Sequence, residues 1–357
     1  MLDGLAVLDA DAHVVEPGGL FEATGVEGTA VGGMAAADLP PDTPMVPVGD
    51  ASLIADQIEH GFDPPSYLRA MDAQGIDGAV VYPSIGLFVP YLPELSAEGS
   101  ASACRAYNEW VAGWCGEAPD RLAAVGLVPT VDVSMAVAEA ARAAELGLVG
   151  VMVRPNHLYG RNLGDRALDP LYDALEERGL TLSVHEGLGV RGPTLGTDRF
   201  DDFARRHACS HPMEQMASMA SLVLDGALER HPGLAVAFLE SGTGWLPFWL
   251  SRLDDHVEWL DDDRRGALSL TPGEYFRRQC VISTEADDAQ LSWVLDTVGA
   301  DRVVWASDFP HPDAVYPGSA RELRGRLDDD ALAAAVLWDT PLELYGLSGR
   351  FPSPPTL

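Results

Sequence analysis

The chain has 357 residues, 47% of them hydrophobic, and a formal net charge of −32 at pH 7. Such an acidic chain repels phosphate backbones and anionic lipid, so we expect neither nucleic acid nor a membrane surface as its partner. All 23 basic residues are arginines, and the lack of lysine excludes Schiff-base chemistry. The four cysteines form no C-x-x-C pair, and the first residues show no signal-peptide pattern. We therefore expect a cytoplasmic protein.

Eight short β-rich runs follow one another along the chain, and segments with helical periodicity separate most of them. Apolar strands that alternate with helices predict a parallel sheet, and eight repeats favour a closed (β/α)₈ TIM barrel over a doubly wound sheet. We predict one domain over 1–357. The predicted strands cover 5–13, 77–84, 122–130, 148–156, 180–187, 234–242, 280–286 and 303–309, and the clearest helices cover 134–147, 168–179, 213–233 and 288–299.

Three stretches interrupt this alternation. Residues 22–60 predict a long loop insertion after the first strand, and residues 187–211 predict a lid-like loop over the barrel mouth. Loops that follow strands lie on the catalytic face of such a barrel, so these two are expected to shape the substrate pocket. Residues 255–275 carry an acidic run, which is more typical of a solvated helix end than of a site.

Metal-binding residue types stand at three of the predicted strand ends. The first strand ends in Asp11 and His13, the fifth in His185 and the eighth in Asp308. Catalytic groups of TIM barrels lie at the carboxyl ends of strands, and two carboxylates with two imidazoles suit Zn²⁺ or Mn²⁺. The fourth strand, VGVMVRPN, offers no residue that could bridge two metals. The sequence therefore predicts one divalent metal ion.

Each of these residues also has a purely structural interpretation. His13 could be a hydrogen-bonded core histidine, Asp11 a turn cap, His185 a partner of a carbonyl, and Asp308 an Asx-turn residue. Their joint occurrence at the ends of the first, fifth and eighth strands favours a site. Glu16 is either a partner of His13 or a turn residue.

Several motifs resemble the amidohydrolase-related family that includes aminocarboxymuconate-semialdehyde decarboxylase and resorcylate-type decarboxylases. The resemblance covers essentially the whole chain. It implies a metal-dependent barrel enzyme with Asp11, His13, His185 and Asp308 as ligands, and with Asp308 also as a proton carrier. The motifs are DADAHVVEP, YLRAMDAQGIDGAVVYP, AYNEW, VMVRPN, SVHEG, SHPMEQM, RHPGLAVAFLESGTGWLPF and VVWASDFPHPDA.

One departure from that family concerns the sixth strand. The decarboxylases carry a catalytic histidine where this chain has Glu240. His211, in the predicted loop after the fifth strand, is the candidate to supply the missing imidazole. Its alternative role is that of a helix-start histidine packed on Pro212.

These observations favour a metal-dependent decarboxylase of a small aromatic or unsaturated carboxylic acid. The alternative is a metal-dependent hydrolase of a C–N, C–O or C–C acyl bond, in which Glu240 orients a ligand or His211. A third interpretation is a metal-binding barrel without activity. In the first case the partner is a small-molecule carboxylate, whose charge Arg154 would help to balance if it reaches the pocket. A homodimer is a possible assembly.

Overall fold

Eight parallel strands form one sheet in the order of the chain. The computed structural model describes residues 2–22, 51–187, 194–196, 199–260, 266–312, 314–327 and 329–351. The predicted (β/α)₈ barrel is confirmed. The strands are β1 (Leu8–Val14), β2 (Gly78–Pro83), β3 (Leu122–Leu127), β4 (Gly150–Val153), β5 (Thr181–Val184), β6 (Val236–Phe238), β7 (Cys280–Thr284) and β8 (Val303–Trp305).

Every residue of every strand is buried, because one face of the sheet packs inside the barrel and the other lies under the helices. The pairing of β1 with β2 shifts between Asp9 and Ala12, beside the polar end of β1. Beyond β8 the chain meets β1 again. The Asp308 N–H donates to the Asp11 carbonyl, and the His13 N–H donates to the Phe309 carbonyl. Those two bonds join the first and last predicted ligand segments directly.

Helices follow the strands around the barrel. They are α1 (Ala55–Glu59), α2 (Pro64–Gln74), α3 (Ala97–Cys115), α4 (Val133–Glu145), α5 (Asp169–Arg178), α6 (Phe203–Leu224), α7 (Ala227–Arg230), α8 (Trp245–Val257), α9 (Pro272–Gln279), α10 (Leu291–Val298), α11 (Ser319–Arg326), α12 (Asp330–Ala334) and α13 (Thr340–Leu344). None of the helices in the described part of the chain has the length and apolar character that a bilayer crossing requires.

The predicted loops need two corrections. Most of 22–60 lies outside the described residues, but Ala51–Ile54 form a 3₁₀ helix and α1 follows it. The predicted loop over 187–211 ends early, because α6 begins at Phe203. Asp202 caps that helix by accepting a hydrogen bond from the Arg205 N–H. The helix predicted over 213–233 is also two helices, separated near Gly226, which has a φ of +74°.

Candidate metal centre

The carboxyl end of β1 places Asp11 and His13 on one face of the strand, because residues two apart point the same way. Their exposures are only 1% and 0%. His13 Nδ1 lies 2.8 Å from the Pro83 carbonyl oxygen, to which it donates its hydrogen. The free lone pair of His13 therefore sits on Nε2, which faces Asp11 Oδ1 at 3.7 Å.

The ends of β5 and β8 bring His185 and Asp308 to the same point. His185 donates from Nδ1 to the Glu186 carbonyl oxygen at 2.7 Å, which leaves its Nε2 available. That nitrogen lies 3.6 Å from Asp11 Oδ2. Asp308 Oδ1 lies 3.2 Å from His13 Nε2. Asp11, His13 and His185 thus lie together, and Asp308 joins them through its contact with His13.

The distances between these atoms fit a shared metal ion better than hydrogen bonds. Two ligands of one tetrahedral ion, each about 2.0–2.2 Å from it, lie roughly 3.3–3.6 Å apart. The three inter-residue contacts above measure 3.2, 3.6 and 3.7 Å. Moreover, Asp11 Oδ1 and both histidine Nε2 atoms are buried without a hydrogen-bond partner. Since buried polar atoms are rarely left unpaired, this donor set fits a divalent cation.

Glu240 brings a further carboxylate from the end of β6. Its Oε2 lies 3.3 Å from His185 Nε2, and the backbone N–H of Glu240 donates to Ser283 Oγ. Glu240 and Asp308 both have a positive φ, of +48° and +55°. That conformation is uncommon for residues with a side chain and costs about 1–3 kcal/mol. Both carboxylates are therefore held toward the barrel axis in strained backbone.

His311 is a site residue that the sequence analysis missed. Its Nδ1 lies 2.7 Å from Asp308 Oδ1 and 3.8 Å from Glu240 Oε1. Its Nε2 is hydrogen-bonded to Ser84 Oγ. The strand-end rule selects Asp308 from the segment SDFPHPD and gives no role to His311. The signal for His311 in the sequence is an imidazole three residues after a carboxylate, because a turn of that length can bring the two side chains to the same side.

His211 lies beside the site, but in α6 rather than in a loop. Its Nε2 faces Glu240 Oε1 at 3.8 Å, and its Nδ1 lies 3.0 Å from Ser210 Oγ. The alternative of a helix-start histidine is therefore wrong, since the helix begins eight residues earlier at Phe203. One turn before it, His207 packs its ring against that of His211, with centroids 4.2 Å apart.

Glu16 supports His13 indirectly, through the turn that follows β2. Its buried carboxylate accepts hydrogen bonds from the backbone N–H groups of Ser84, Ile85 and Gly86, at 2.8–3.3 Å. A Cβ on Gly86 would lie 2.7 Å from Pro83 Cβ and 3.2 Å from Glu16 Oε1, so only glycine permits this approach. Glu16 thus fixes the segment whose Pro83 carbonyl orients His13.

Arg154, at the end of β4, is buried and forms an ion pair with Glu186 at 3.2 Å. The pair is nearly inaccessible, with side-chain exposures of 2% and 0%. Its positive charge is therefore matched within the protein. The expectation that Arg154 serves an anionic substrate finds no support in this pairing.

The pKa values of the site residues are shifted because several ionisable groups are buried close together. Burial and then the Asp308 charge raise the pKa of Glu240 to about 8. Burial disfavours the charged form of His185, but the Asp11 and Glu240 carboxylates outweigh it and raise its pKa to about 9. His311 holds the pKa of Asp308 well below its usual range against the effect of burial, and Asp308 in turn raises the pKa of His311. Burial lowers the pKa of His211 far below its usual value.

Known proteins share this fold. The chain is 26% identical over 217 residues to 2-amino-3-carboxymuconate-6-semialdehyde decarboxylase of Dictyostelium discoideum, a match that covers 60% of this chain and 58% of that protein. The structure of 5-carboxyvanillate decarboxylase from Sphingomonas paucimobilis has a TM-score of 0.73 and 22% identity, and covers 96% of this chain and 99% of its own. The enzyme of that name from Novosphingobium aromaticivorans, complexed with manganese and 4-hydroxy-3-methoxy-5-nitrobenzoic acid, gives 0.74 and 21%, covering 96% and 97%.

A family model described as amidohydrolase matches residues 8–347. This range takes in all eight strands and each of the five carboxylate and imidazole residues at the ends of β1, β5, β6 and β8. The chain belongs to the amidohydrolase family.

Proposed function

We propose that this protein is a metal-dependent decarboxylase of a small aromatic or unsaturated carboxylic acid. The observation that carries the proposal is the cluster of buried ligand atoms without a hydrogen-bond partner on Asp11, His13 and His185, with Asp308 Oδ1 3.2 Å from the same His13 nitrogen. The decarboxylases among its relatives and structural neighbours, one of them complexed with manganese, support it. We propose these four residues as ligands of one Zn²⁺ or Mn²⁺ ion, within one barrel domain over 1–357.

The bound ion would supply positive charge that attracts the substrate carboxylate and stabilises negative charge on an adjacent oxygen. The carboxylates of Asp11 and Asp308 would otherwise repel an anion from the site. The buried Arg154 is already paired with Glu186, so the ion is the group that can make this pocket accept an anionic substrate.

Proton delivery falls to Asp308 and His311. Their contact of 2.7 Å is short enough for proton transfer, and the raised pKa of His311 keeps its imidazole protonated near neutral pH. We propose that the proton starts on His311, since Asp308 is ionised, and that Asp308 passes it to the substrate carbon as the C–C bond to the carboxylate breaks. The electron pair of that bond forms the new C–H bond, and CO₂ leaves. His311 then recovers its proton from solvent through its partly exposed edge.

The proton-donor role predicted for His211 stays a prediction. The lowered pKa of this imidazole keeps it neutral near pH 7, so it is a weaker candidate for donation than His311. A neutral imidazole can polarise a substrate oxygen only through its N–H group. In His211 the Ser210 hydroxyl already lies within hydrogen-bonding distance of Nδ1.

Glu240 favours hydrolysis of an acyl bond as a second candidate function. A carboxylate at this position, 3.3 Å from His185 Nε2, can accept a hydrogen bond from a water molecule bound in the centre. A decarboxylase needs no such acceptor. The Glu240 side chain therefore separates the two functions experimentally.

The decisive experiment is product analysis with metal-loaded protein. A panel of hydroxylated benzoates, unsaturated dicarboxylates and matched esters and amides would be incubated in H₂¹⁸O. Release of CO₂ without ¹⁸O in the organic product supports decarboxylation. Incorporation of ¹⁸O into a released acid would show hydrolysis and overturn the proposal, as would absence of any turnover across the panel.

A further inference from the structure

We infer that His207, His211 and Glu240 form a second divalent cation site beside the proposed metal centre. Glu240 lies next to both sites, with Oε2 3.3 Å from His185 of the proposed centre, so the inference rests in part on the proposed function. It extends that function by adding an accessory ion to the single resident metal.

The first support is the arrangement of the ligands. His207 and His211 lie one helical turn apart on α6, so their rings project from the same face of the helix. Each histidine and Glu240 offers a ligand atom, and these atoms all lie within 4.8 Å of one another. His211 Nε2 lies 3.8 Å from Glu240 Oε1, close to the separation of two ligands on one ion.

The second support is the tautomer of His211. The Ser210 hydroxyl donates to the His207 carbonyl oxygen, so its oxygen is left to accept a hydrogen bond from His211 Nδ1. The lone pair of His211 therefore sits on Nε2, which is buried and has no hydrogen-bond partner. It faces a carboxylate oxygen, which is also an acceptor. A buried acceptor that faces a second acceptor is unfavourable unless a cation or a proton lies between them.

The third support is the position of Glu240, whose two oxygens point in different directions. Oε2 faces His185 in the proposed centre at 3.3 Å, whereas Oε1 faces His211. The sequence offered no bridging ligand on the fourth strand. The sixth strand supplies a carboxylate between the two sites, because Glu240 contacts both His185 and His211.

The chemistry of the set indicates the ion. Two imidazoles and one carboxylate, with a fourth position left open, match the ligand set of many zinc sites. His207 is half-buried, so this site opens further toward solvent than the one formed by His13 and His185. The accessory ion should accordingly exchange with solution while the resident metal is retained.

The test is equilibrium dialysis of zinc-loaded protein against ZnCl₂, with total zinc measured by elemental analysis. We expect two zinc ions per chain in the wild type and one in His207→Ala. Alanine favours the helix, and retention of one zinc shows that the variant has kept the first centre. His256→Ala, which removes a half-buried histidine from α8, is the matched control and should bind as many ions as the wild type.

Each result has a distinct meaning. One zinc in the wild type would overturn the second site and leave the proposed centre intact. An equal zinc content in wild type and His207→Ala would also overturn it, because the extra ion would then lie elsewhere on this acidic surface. No bound zinc in the wild type would overturn both proposals. Loss of the same ion in His211→Ala would give independent support.

Discussion

The imidazoles of His13 and His311 stack face to face, with ring centroids 3.7 Å apart. The two residues come from opposite ends of the chain, yet both contact the same oxygen, Oδ1 of Asp308, at 3.2 and 2.7 Å. One carboxylate oxygen thus lies between a proposed ligand and a proposed proton source. The proton on His311 therefore lies directly beside the proposed metal centre.

This arrangement predicts a specific defect in His311→Asn. The variant should keep its resident metal but lose roughly 10²–10⁴ in turnover, the usual contribution of an acid–base group. Metal content and steady-state rates on an identified substrate would be measured together. His211→Asn is the comparison, and a larger rate loss there than in His311→Asn would return the donor role to His211.

Removal of one proposed ligand should release the ion. His185→Ala leaves the barrel strand unchanged but removes Nε2 from the cluster, and we expect the purified variant to hold less than about a tenth of the wild-type metal. Elemental analysis after dialysis measures this directly. His256→Ala again serves as the control. Full metal retention in His185→Ala would refute the ligand assignment.

Glu240→Gln distinguishes the two enzyme functions. In a decarboxylase the substrate arrives as an anion, so loss of the Glu240 charge should leave KM unchanged or lower. In a hydrolase the same variant should lose kcat with similar KM, because the acceptor for the attacking water is weakened. Kinetics would be compared with Asp308→Asn as the inactive reference. A large kcat loss together with ¹⁸O in the product contradicts decarboxylation.

The metal-free protein should lose stability as pH rises. Burial raises the pKa of Asp9 to about 7 and that of Glu240 to about 8, and the pKa of His185 is raised to about 9. Each group therefore binds more protons in the folded than in the unfolded state between its unfolded and folded pKa values, a window that runs from about pH 4 to 9 for the three together. The stability that these three groups contribute is full below the window and is lost through it, by about 1.4 kcal/mol per pH unit for each group between its own two pKa values.

Urea unfolding in EDTA at pH 5, 7 and 8.5 measures this slope. Glu240→Gln should show a shallower decline between pH 5 and 8, because one of the three groups no longer titrates. Bound metal should flatten the decline as well, since a cation favours the ionised carboxylates. A metal-free protein that becomes more stable toward pH 8.5 would contradict the expected sign.

Much of the barrel could be predicted from the sequence because its strands are short, apolar and buried on both faces. The runs around Leu122–Leu127 and Gly150–Val153 are examples. Asp11, His13, His185 and Asp308 followed from the rule that strand ends converge, which needs no knowledge of side-chain packing. The rule says nothing about residues that reach the site from elsewhere.

The sequence patterns gave no role to His311 and placed His211 in a loop, in each case because of the local sequence. His311 sits in a Pro-rich turn, where neither periodicity nor strand position indicates a direction for the side chain. His211 falls at the end of the predicted loop over 187–211, because the helical pattern is recognisable only from residue 213. Here α6 continues through Pro212, held at its start by Asp202. The contacts of both imidazoles depend on tertiary packing, which no short pattern encodes.

The hydrogen bonds that residues 84–86 donate to Glu16 have a consequence for the evolution of this centre. The same short segment presents the Pro83 carbonyl to His13 and the Ser84 hydroxyl to His311. A change in that turn would rotate two imidazoles at once without altering any residue that touches the ion or the substrate. The affinity for metal and the supply of the proton therefore both depend on this turn, although the turn contains neither a proposed ligand nor the proposed proton source.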